Sequence, residues 1–282
     1  MVTNDTRIAI LGGRGMLGTD LTKICRQEGF DVKVFDLPEF DITNSQQLKE
    51  ALSNTKTIVN CAAYTNVDGA ESEAELAYRV NAEAVGRLGV LVKEANAWLL
   101  HVSTDFIFDG RSDRPYVETD PPNPINEYGK TKLAGEQLLG QSGCHHCIMR
   151  IEWTYGAAGN NFVTKLIKRE QTDKTLKVVD DQIGSPTATT EVAKVICELL
   201  RIKPKGVFHF ASAGYVSRYE MAKFIFDNLS IDVTLLPCKT SDYVSAAARP
   251  LNSRFDCSKI EALLNEPIEP WQVPLERFLG QL

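Results

Sequence analysis

Residues Tyr128–Lys132 read YGKTK, and upstream of them His101–Gly110 read HVSTDFIFDG. On a helix, side chains four positions apart share one face, so Tyr128 and Lys132 present a phenol and an ammonium one turn apart. Thr104 follows an apolar run, Trp98–Val102, that reads as a buried strand. A phenol, an ammonium and a hydroxyl around one carbonyl suit the interconversion of a ketone and an alcohol. Negative charge develops on the oxygen during reduction, so a proton donor must meet it. A phenol is a weak acid near neutrality, with an unperturbed pKa of about 10. A neighbouring ammonium favours the phenolate and brings the group closer to the working range of a general acid. Tyr128 is therefore the candidate proton donor, Lys132 its tuner, and Thr104 the hydroxyl that orients the carbonyl oxygen. Tyr and Lys at this spacing also occur by chance on helix surfaces, so the reading depends on the elements that hold them.

The N-terminal region supplies such an element. Arg7–Leu11 (RIAIL) is a short strand-like run that leads directly into GGRGMLG, with Gly12, Gly15 and Gly18 three apart. Leu17, Leu21 and Ile24 then follow at helical spacing. Strand, glycine turn and helix is the context in which glycines let a backbone approach a pyrophosphate at a helix N-terminus. A second strand-like run, Val32–Phe35, ends in Asp36, where an acid accepts the ribose hydroxyls of an adenosine. Arg14, inside the turn, would instead meet a 2′-phosphate. NADPH and NADH are both open on these residues.

The glycine spacing is Gly-x-x-Gly-x-x-Gly. With the YxxxK pair and the upstream Ser-Thr-Asp, the chain resembles the extended short-chain dehydrogenase/reductase superfamily. Within it, the chain is similar to the dTDP-4-dehydrorhamnose reductases. The similar runs span almost the whole chain: FDIT (Phe40–Thr43), VNCAAYTNVDGAE (Val59–Glu71), VNA (Val80–Ala82), STDFIFDG (Ser103–Gly110), YGKTK, RIEWTYG (Arg150–Gly156), DQIGSPT (Asp181–Thr187) and AARPLNSRFD (Ala247–Asp256). The resemblance implies a Rossmann-type α/β fold, a doubly wound parallel sheet with a smaller C-terminal α/β substrate domain. It implies reduction of the position-4 ketone of a dTDP-linked deoxysugar by NADPH or NADH. Cofactor contacts would come from Gly12, Arg14, Gly15, Met16, Leu17, Asp36, Asp41, Ile42, Ala62, Ala63, Tyr64, Tyr128 and Lys132. Sugar-nucleotide contacts would come from Val67, Asp68, Thr104, Asp105, Tyr128, Trp153, Arg249, Asn252 and Ser253. Glu152 departs from the small or hydroxyl residue common in relatives, and bears on the sugar pocket. Some members are homodimers joined by Mg²⁺ through carboxylates, for which Asp20 is a candidate here.

Independent features agree with an enzyme of this kind. Apolar runs at 7–11, 32–35, 57–61, 97–102 and 146–151 alternate with helical stretches such as Ala74–Ala95 and Tyr128–Leu139, the pattern of a parallel sheet covered on both faces. Residues 1–151 read as the nucleotide-binding domain, with return segments after 151. Residues 152–282 read mainly as the sugar-nucleotide domain. Helices are expected at Glu191–Leu200 and Tyr219–Leu229, a short apolar run at Gly206–Ala211, and a tail from Cys257 broken by Pro267, Pro270 and Pro274. The 282 residues carry a net charge of −6, which suits neither nucleic acid nor an anionic membrane surface. No apolar run approaches a membrane span, and the polar MVTNDTR start shows no leader pattern, so a cytoplasmic setting is expected. Seven cysteines without paired spacing suit a reducing compartment. Cys144-His145-His146-Cys147 lacks a second ligand pair, so no metal site is expected there.

Three rival readings stand beside the reductase. One is a sugar-nucleotide dehydratase or epimerase of the same superfamily; a dehydratase would carry Asp-Glu after the catalytic Thr, whereas Phe106 follows Asp105 here. A non-catalytic nucleotide-binding partner, of the type that regulates methionine adenosyltransferase, need not keep Thr104, Tyr128 and Lys132. A reductase of another 4-keto-6-deoxysugar nucleotide would keep all three.

Overall fold

The structure, a computed structural model, describes residues 6–282; residues 1–5, which hold most of the polar N-terminal segment, lie outside that range. In chain order the first half comprises β1 (Arg7–Leu11), α1 (Met16–Gln27), β2 (Asp31–Phe35), α2 (Ser45–Leu52), β3 (Thr57–Asn60), α3 (Ala74–Tyr78), α4 (Ala84–Glu94), β4 (Trp98–Thr104), α5 (Glu127–Ser142) and β5 (His145–Ile151). The second half comprises β6 (Thr154–Tyr155), α6 (Phe162–Glu170), β7 (Thr175–Val179), β8 (Ile183–Gly184), β9 (Thr187–Ala188), α7 (Thr189–Ile202), β10 (Gly206–Phe210), β11 (Val216–Ser217), α8 (Arg218–Leu229), β12 (Thr234–Cys238), α9 (Ser258–Glu261) and α10 (Gln272–Leu279).

Six strands form one parallel sheet in the order β10-β5-β4-β3-β1-β2. Such strands are buried on both faces, which is why β1 is apolar at every position after Arg7. Ile8 and Ile10 face a core with Leu21 and Cys25 of α1 and Ile196 and Leu199 of α7. Ala9 and Leu11 face the opposite core, with Leu48 of α2, Leu88 of α4 and Leu139 of α5. The chain leaves β1 toward β2 on one side and returns to β3 on the other, so strand order reverses between β1 and β3. A crevice at the carboxyl ends of the strands is expected at this switch point.

Three elements beyond residue 151 belong to this layer. β10 pairs with β5 at the sheet edge, α7 packs on α1, and α9 packs on β10, with Ile260 in the same core. The remaining C-terminal elements surround a separate apolar cluster that includes Tyr155, Met221, Phe226, Trp271 and Leu275.

Three departures from the sequence reading have physical causes. The helix read as continuous from Ala74 to Ala95 contains a π-helical turn, Arg79–Glu83, between α3 and α4. The Asn81 side chain in that turn accepts from Tyr64 N at 2.8 Å, and its Nδ2 donates to Tyr64 O and Thr131 Oγ1, each at 3.1 Å. The turn thus ties the loop after β3 to α5, a use of the π-bulge seen often at functional sites. Pro274 does not break the tail but lies in the first turn of α10, where its missing N–H would have had no intrahelical partner. The parallel pair β7 and β12 is the third departure. Its strands are short, half exposed and far apart in sequence, so local pattern does not announce their pairing.

Candidate active site

Gly12 follows β1 with φ +75°, and a Cβ there would lie 2.5 Å from Ala62 N in the loop after β3. Gly18 in α1 would drive a Cβ into the Gly12 carbonyl. Both positions require glycine, one for its conformation and one for contact. Gly15 caps α1 with no side-chain hydrogen bond to the helix. It leaves first-turn N–H groups available to an anion. A cavity of about 770 Å³ opens here, lined at this end by Gly12, Arg14, Gly15, Met16, Leu17, Asp36, Asp41, Ile42, Ala62 and Ala63. This is a backbone cradle for a dinucleotide, and the residues fit one.

Asp36 holds the turn: its carboxylate accepts from Arg14 N at 2.7 Å and Leu37 N at 2.8 Å. The exposed Arg14 guanidinium donates to Glu39 at 2.6 Å and to Leu37 O at 2.8 Å. Asp41 accepts from Thr43 N and Oγ1, each at 2.8 Å. Tyr64 does not line the cavity; its hydroxyl donates to Glu73 at 2.6 Å.

The same cavity continues to Thr104, Asp105, Tyr128 and Lys132. Thr104 ends β4, where its Oγ1 accepts from Phe106 N at 3.2 Å and donates to Asp105 at 3.0 Å. Asn126 caps α5 by accepting from Gly129 N at 2.8 Å, and its amide donates to Ala248 O at 2.7 Å. A Cβ at Gly129 would collide with Phe106 O. The glycine of YGKTK therefore lets α5 close on the turn after β4, which brings Tyr128 to Thr104. Tyr128 also meets Phe106 edge-on, with ring centroids 5.6 Å apart.

Lys132 is 2 % exposed. Its Nζ donates to Val102 O at 2.8 Å and lies 3.5 Å from His101 Nε2. Burial brings the ammonium down to about 8. Burial also carries the Tyr128 phenol up to about 12; hydrogen bonding with Thr104 opposes the rise and the Asp105 charge adds to it. The expectation that Lys132 lowers the phenol's pKa is thus not met. The ammonium is turned onto the Val102 carbonyl, and desolvation outweighs the other effects.

Beyond the triad, Val67 and Trp153 line the cavity. Trp153 adopts φ +45°, a left-handed conformation that costs a non-glycine residue roughly 1–2 kcal/mol. Such strain is more typical of a functional position than of a core Trp. Arg218, at the start of α8, stacks on Trp153 with its guanidinium carbon 3.5 Å from the ring centroid. Ser253 donates from its hydroxyl to Asp105 Oδ2. Asn252 donates to Ser112 O and Arg114 O, each at 2.9 Å. Arg249 pairs with Asp68 at 2.8 Å. Asp68, Arg249, Asn252 and Ser253 thus brace the walls and do not line the cavity. Glu152, 1 % exposed, accepts from Ser185 N at 2.9 Å, while its other oxygen has no partner. Burial, reinforced by the Asp105 charge, keeps its carboxyl well above the ordinary range.

Cys144 and Cys147 enter cores on opposite faces of the sheet, so the Cys-His-His-Cys run cannot converge on one ion. Asp20 accepts a hydrogen bond from Thr189 Oγ1. Among the described residues no cluster of three or more His, Cys, Asp and Glu is arranged to hold a metal, and no helix is long and apolar enough to cross a membrane.

Sequence reasoning did not single out Arg218, Asn81 or His101. A lone cation at a helix start and a single Asn in a helical stretch carry no periodic signal. His101 was visible beside Thr104 but lies on a buried strand.

Residues 6–282 match the family described as the RmlD substrate binding domain. The dTDP-4-dehydrorhamnose reductase of Aggregatibacter actinomycetemcomitans is 36% identical over 287 residues, covering 96% of this chain and 98% of that protein. The dTDP-4-keto-6-deoxy-D-glucose reductase of Streptomyces niveus is 39% identical over 232 residues, 80% of each chain. Among solved structures, a dTDP-4-dehydrorhamnose reductase from Bacillus anthracis str. Ames in complex with NADP is similar, with TM-score 0.93 and 36% identity, covering 98% of this chain and 99% of that one. With a family match over nearly its full length and relatives of this identity and coverage, the chain belongs to the dTDP-4-dehydrorhamnose reductase family.

Proposed function

We propose that the chain reduces the position-4 ketone of dTDP-4-dehydro-β-L-rhamnose to give dTDP-β-L-rhamnose, using NADPH or NADH. One observation carries this reading: a single cavity runs from the glycine cradle of α1 to Thr104, Tyr128 and Lys132. A nicotinamide, when bound, supplies the hydride. Tyr128 passes its phenolic proton to the ketone oxygen as charge develops there. Thr104 donates its hydroxyl hydrogen bond to Asp105, so its contact with the phenol holds the donor in place. Lys132, one turn away on α5 and anchored on the Val102 carbonyl, keeps a positive charge in the cavity while it stays protonated, which favours negative charge developing at the reacting centre. Trp153 offers an aromatic surface to the deoxysugar.

The NADP complex of the Bacillus anthracis relative supports NADPH as the cofactor. The exposed guanidinium of Arg14, beside the turn, is placed to meet a 2′-phosphate. We also propose a cytoplasmic setting, a small dTDP-sugar as substrate and a homodimer as the candidate assembly. Its seven free cysteines suit a reducing compartment.

A second reading draws on the Streptomyces niveus relative, whose name gives dTDP-4-keto-6-deoxy-D-glucose as substrate. The buried Glu152 behind Trp153 leaves the sugar end of the site to decide between them. The test is loss of nicotinamide absorbance with each freshly generated keto-sugar, using NADPH and NADH in turn. Oxidation dependent on dTDP-4-dehydrorhamnose supports the first reading. Oxidation with dTDP-4-keto-6-deoxy-D-glucose alone supports the second, and cofactor binding without oxidation of either overturns both.

A further inference from the structure

Every cation placed near the cavity by sequence reasoning already has an acceptor. Arg14 is held by Glu39, Lys132 by the Val102 carbonyl, and Arg249 by Asp68. Arg218 differs. It lines the cavity, and no described residue places an acceptor within hydrogen-bond or ion-pair distance of its guanidinium. The group lies 3.5 Å from the Trp153 ring centroid and 4.8 Å from that of Phe162. These two rings fix the guanidinium plane and leave its N–H edge without a protein partner. A planar donor array held in this way is pre-organised for a ligand.

The surroundings indicate which ligand. Asp105 is the first acidic group whose charge acts on Arg218. Asp105 lines the same cavity beside Thr104, and its carboxylate accepts from Thr104 and Ser253. A dianionic diphosphate beside Asp105 would be repelled. A neutral polyol would not, because its hydroxyls accept from a guanidinium and donate to a carboxylate. Burial supports the same view, since it draws Arg218 down to about 9 and favours a bound group that satisfies its N–H donors.

We infer that Arg218 is a specificity-determining residue that donates hydrogen bonds to the ring hydroxyls of the sugar. Trp153, on whose ring it stacks, covers an apolar face of that sugar. The inference rests on the reductase reading above and adds the sugar subsite to it. The diphosphate lies elsewhere along the cavity.

Calorimetric titration of the full chain with dTDP-L-rhamnose, dTDP and NADPH, each alone, separates the roles. Arg218→Ala should weaken dTDP-L-rhamnose about tenfold or more, and leave dTDP and NADPH within about twofold. Arg218→Lys keeps the charge but loses the flat stack and the fork, so it should restore only part of the sugar-dependent affinity. Equal losses for dTDP and dTDP-L-rhamnose would make Arg218 a phosphate contact and overturn the inference, as would no loss for either. If Arg218→Ala proves unstable, Arg218→Gln decides by the same comparison. A wild-type chain that binds NADPH but neither dTDP nor dTDP-L-rhamnose would overturn the reductase reading itself, and the inference with it.

Discussion

Replacing Tyr128 with Phe removes one hydroxyl and keeps the ring that meets Phe106 edge-on. The structural loss is at most one hydroxyl contact, that with Thr104, about 0.5–1.5 kcal/mol. In a chain of this size each kcal/mol shifts Tm by about 2–4 °C, so the melting point should fall by no more than about 6 °C. The catalytic loss is larger. A general acid contributes about 10²–10⁴-fold, or about 2.7–5.4 kcal/mol of barrier at 1.36 kcal/mol per decade. The pH profile adds a second signature. Burial holds the phenol up to about 12, so the donor stays loaded through the neutral range. Lys132 is brought down to about 8, so its ammonium is present below that pH and lost above it. Wild-type kcat for reduction should therefore fall as pH rises through about 8. The residual rate of Tyr128→Phe should lack that inflection, because no proton transfer from Tyr128 remains for the Lys132 charge to assist. The assay is kcat at saturating sugar and cofactor across pH, with Tm measured on the same samples. A variant within about threefold of wild type, or one that keeps the full alkaline decline, would refute the assignment.

Lys132→Met should lower turnover by roughly 10²-fold and weaken NADPH binding together, since the residue lines the cavity that joins the cradle to the triad; fluorescence titration and kcat read the two, and an effect on neither rejects the role. Arg14→Ala should weaken NADPH about tenfold while NADH changes little, and equal losses would show that Arg14 does not read a 2′-phosphate. Glu152→Gln should stabilise the chain increasingly as pH rises above the ordinary carboxyl range. The folded-state pKa of Glu152 is raised, so its contribution is fully present below the unfolded value and fades as pH rises through the folded one. The wild-type chain therefore loses stability that the amide does not. Melting curves at acid and alkaline pH check this, and a constant difference between the two proteins would contradict it.

What was legible in the sequence lay in local backbone demands. Gly12 and Gly18 occupy positions where a Cβ would strike the Ala62 backbone or the Gly12 carbonyl, and Gly129 one where it would strike Phe106 O. Each marks a close approach that assembles the site, and each sits beside an apolar run with a clear period. The sugar end was harder to read because its residues act through loops distant in sequence. Arg249 and Asn252 carry donors that suit a sugar nucleotide, yet they spend them on Asp68, Ala247, Ser112 and Arg114 within the walls. Arg218 gains its place only when the start of α8 meets Trp153, two residues beyond β5, which no local pattern reports. The sign of the Tyr128 shift is hidden from the sequence for a related reason. Proximity on a helix face is visible in sequence, but the depth of burial and the Val102 carbonyl that claims the ammonium are not.

The most direct test of the central claim is to run the reaction with NADPH carrying deuterium at the transferable C4 position of its nicotinamide. Trapping the product by chromatography and locating the label by NMR and mass spectrometry then reads the hydride's destination. The reductase reading predicts one deuterium at C4 of the sugar in a product identical to dTDP-β-L-rhamnose. NADPH consumption that leaves the sugar unlabelled, or a label at another carbon, would contradict it.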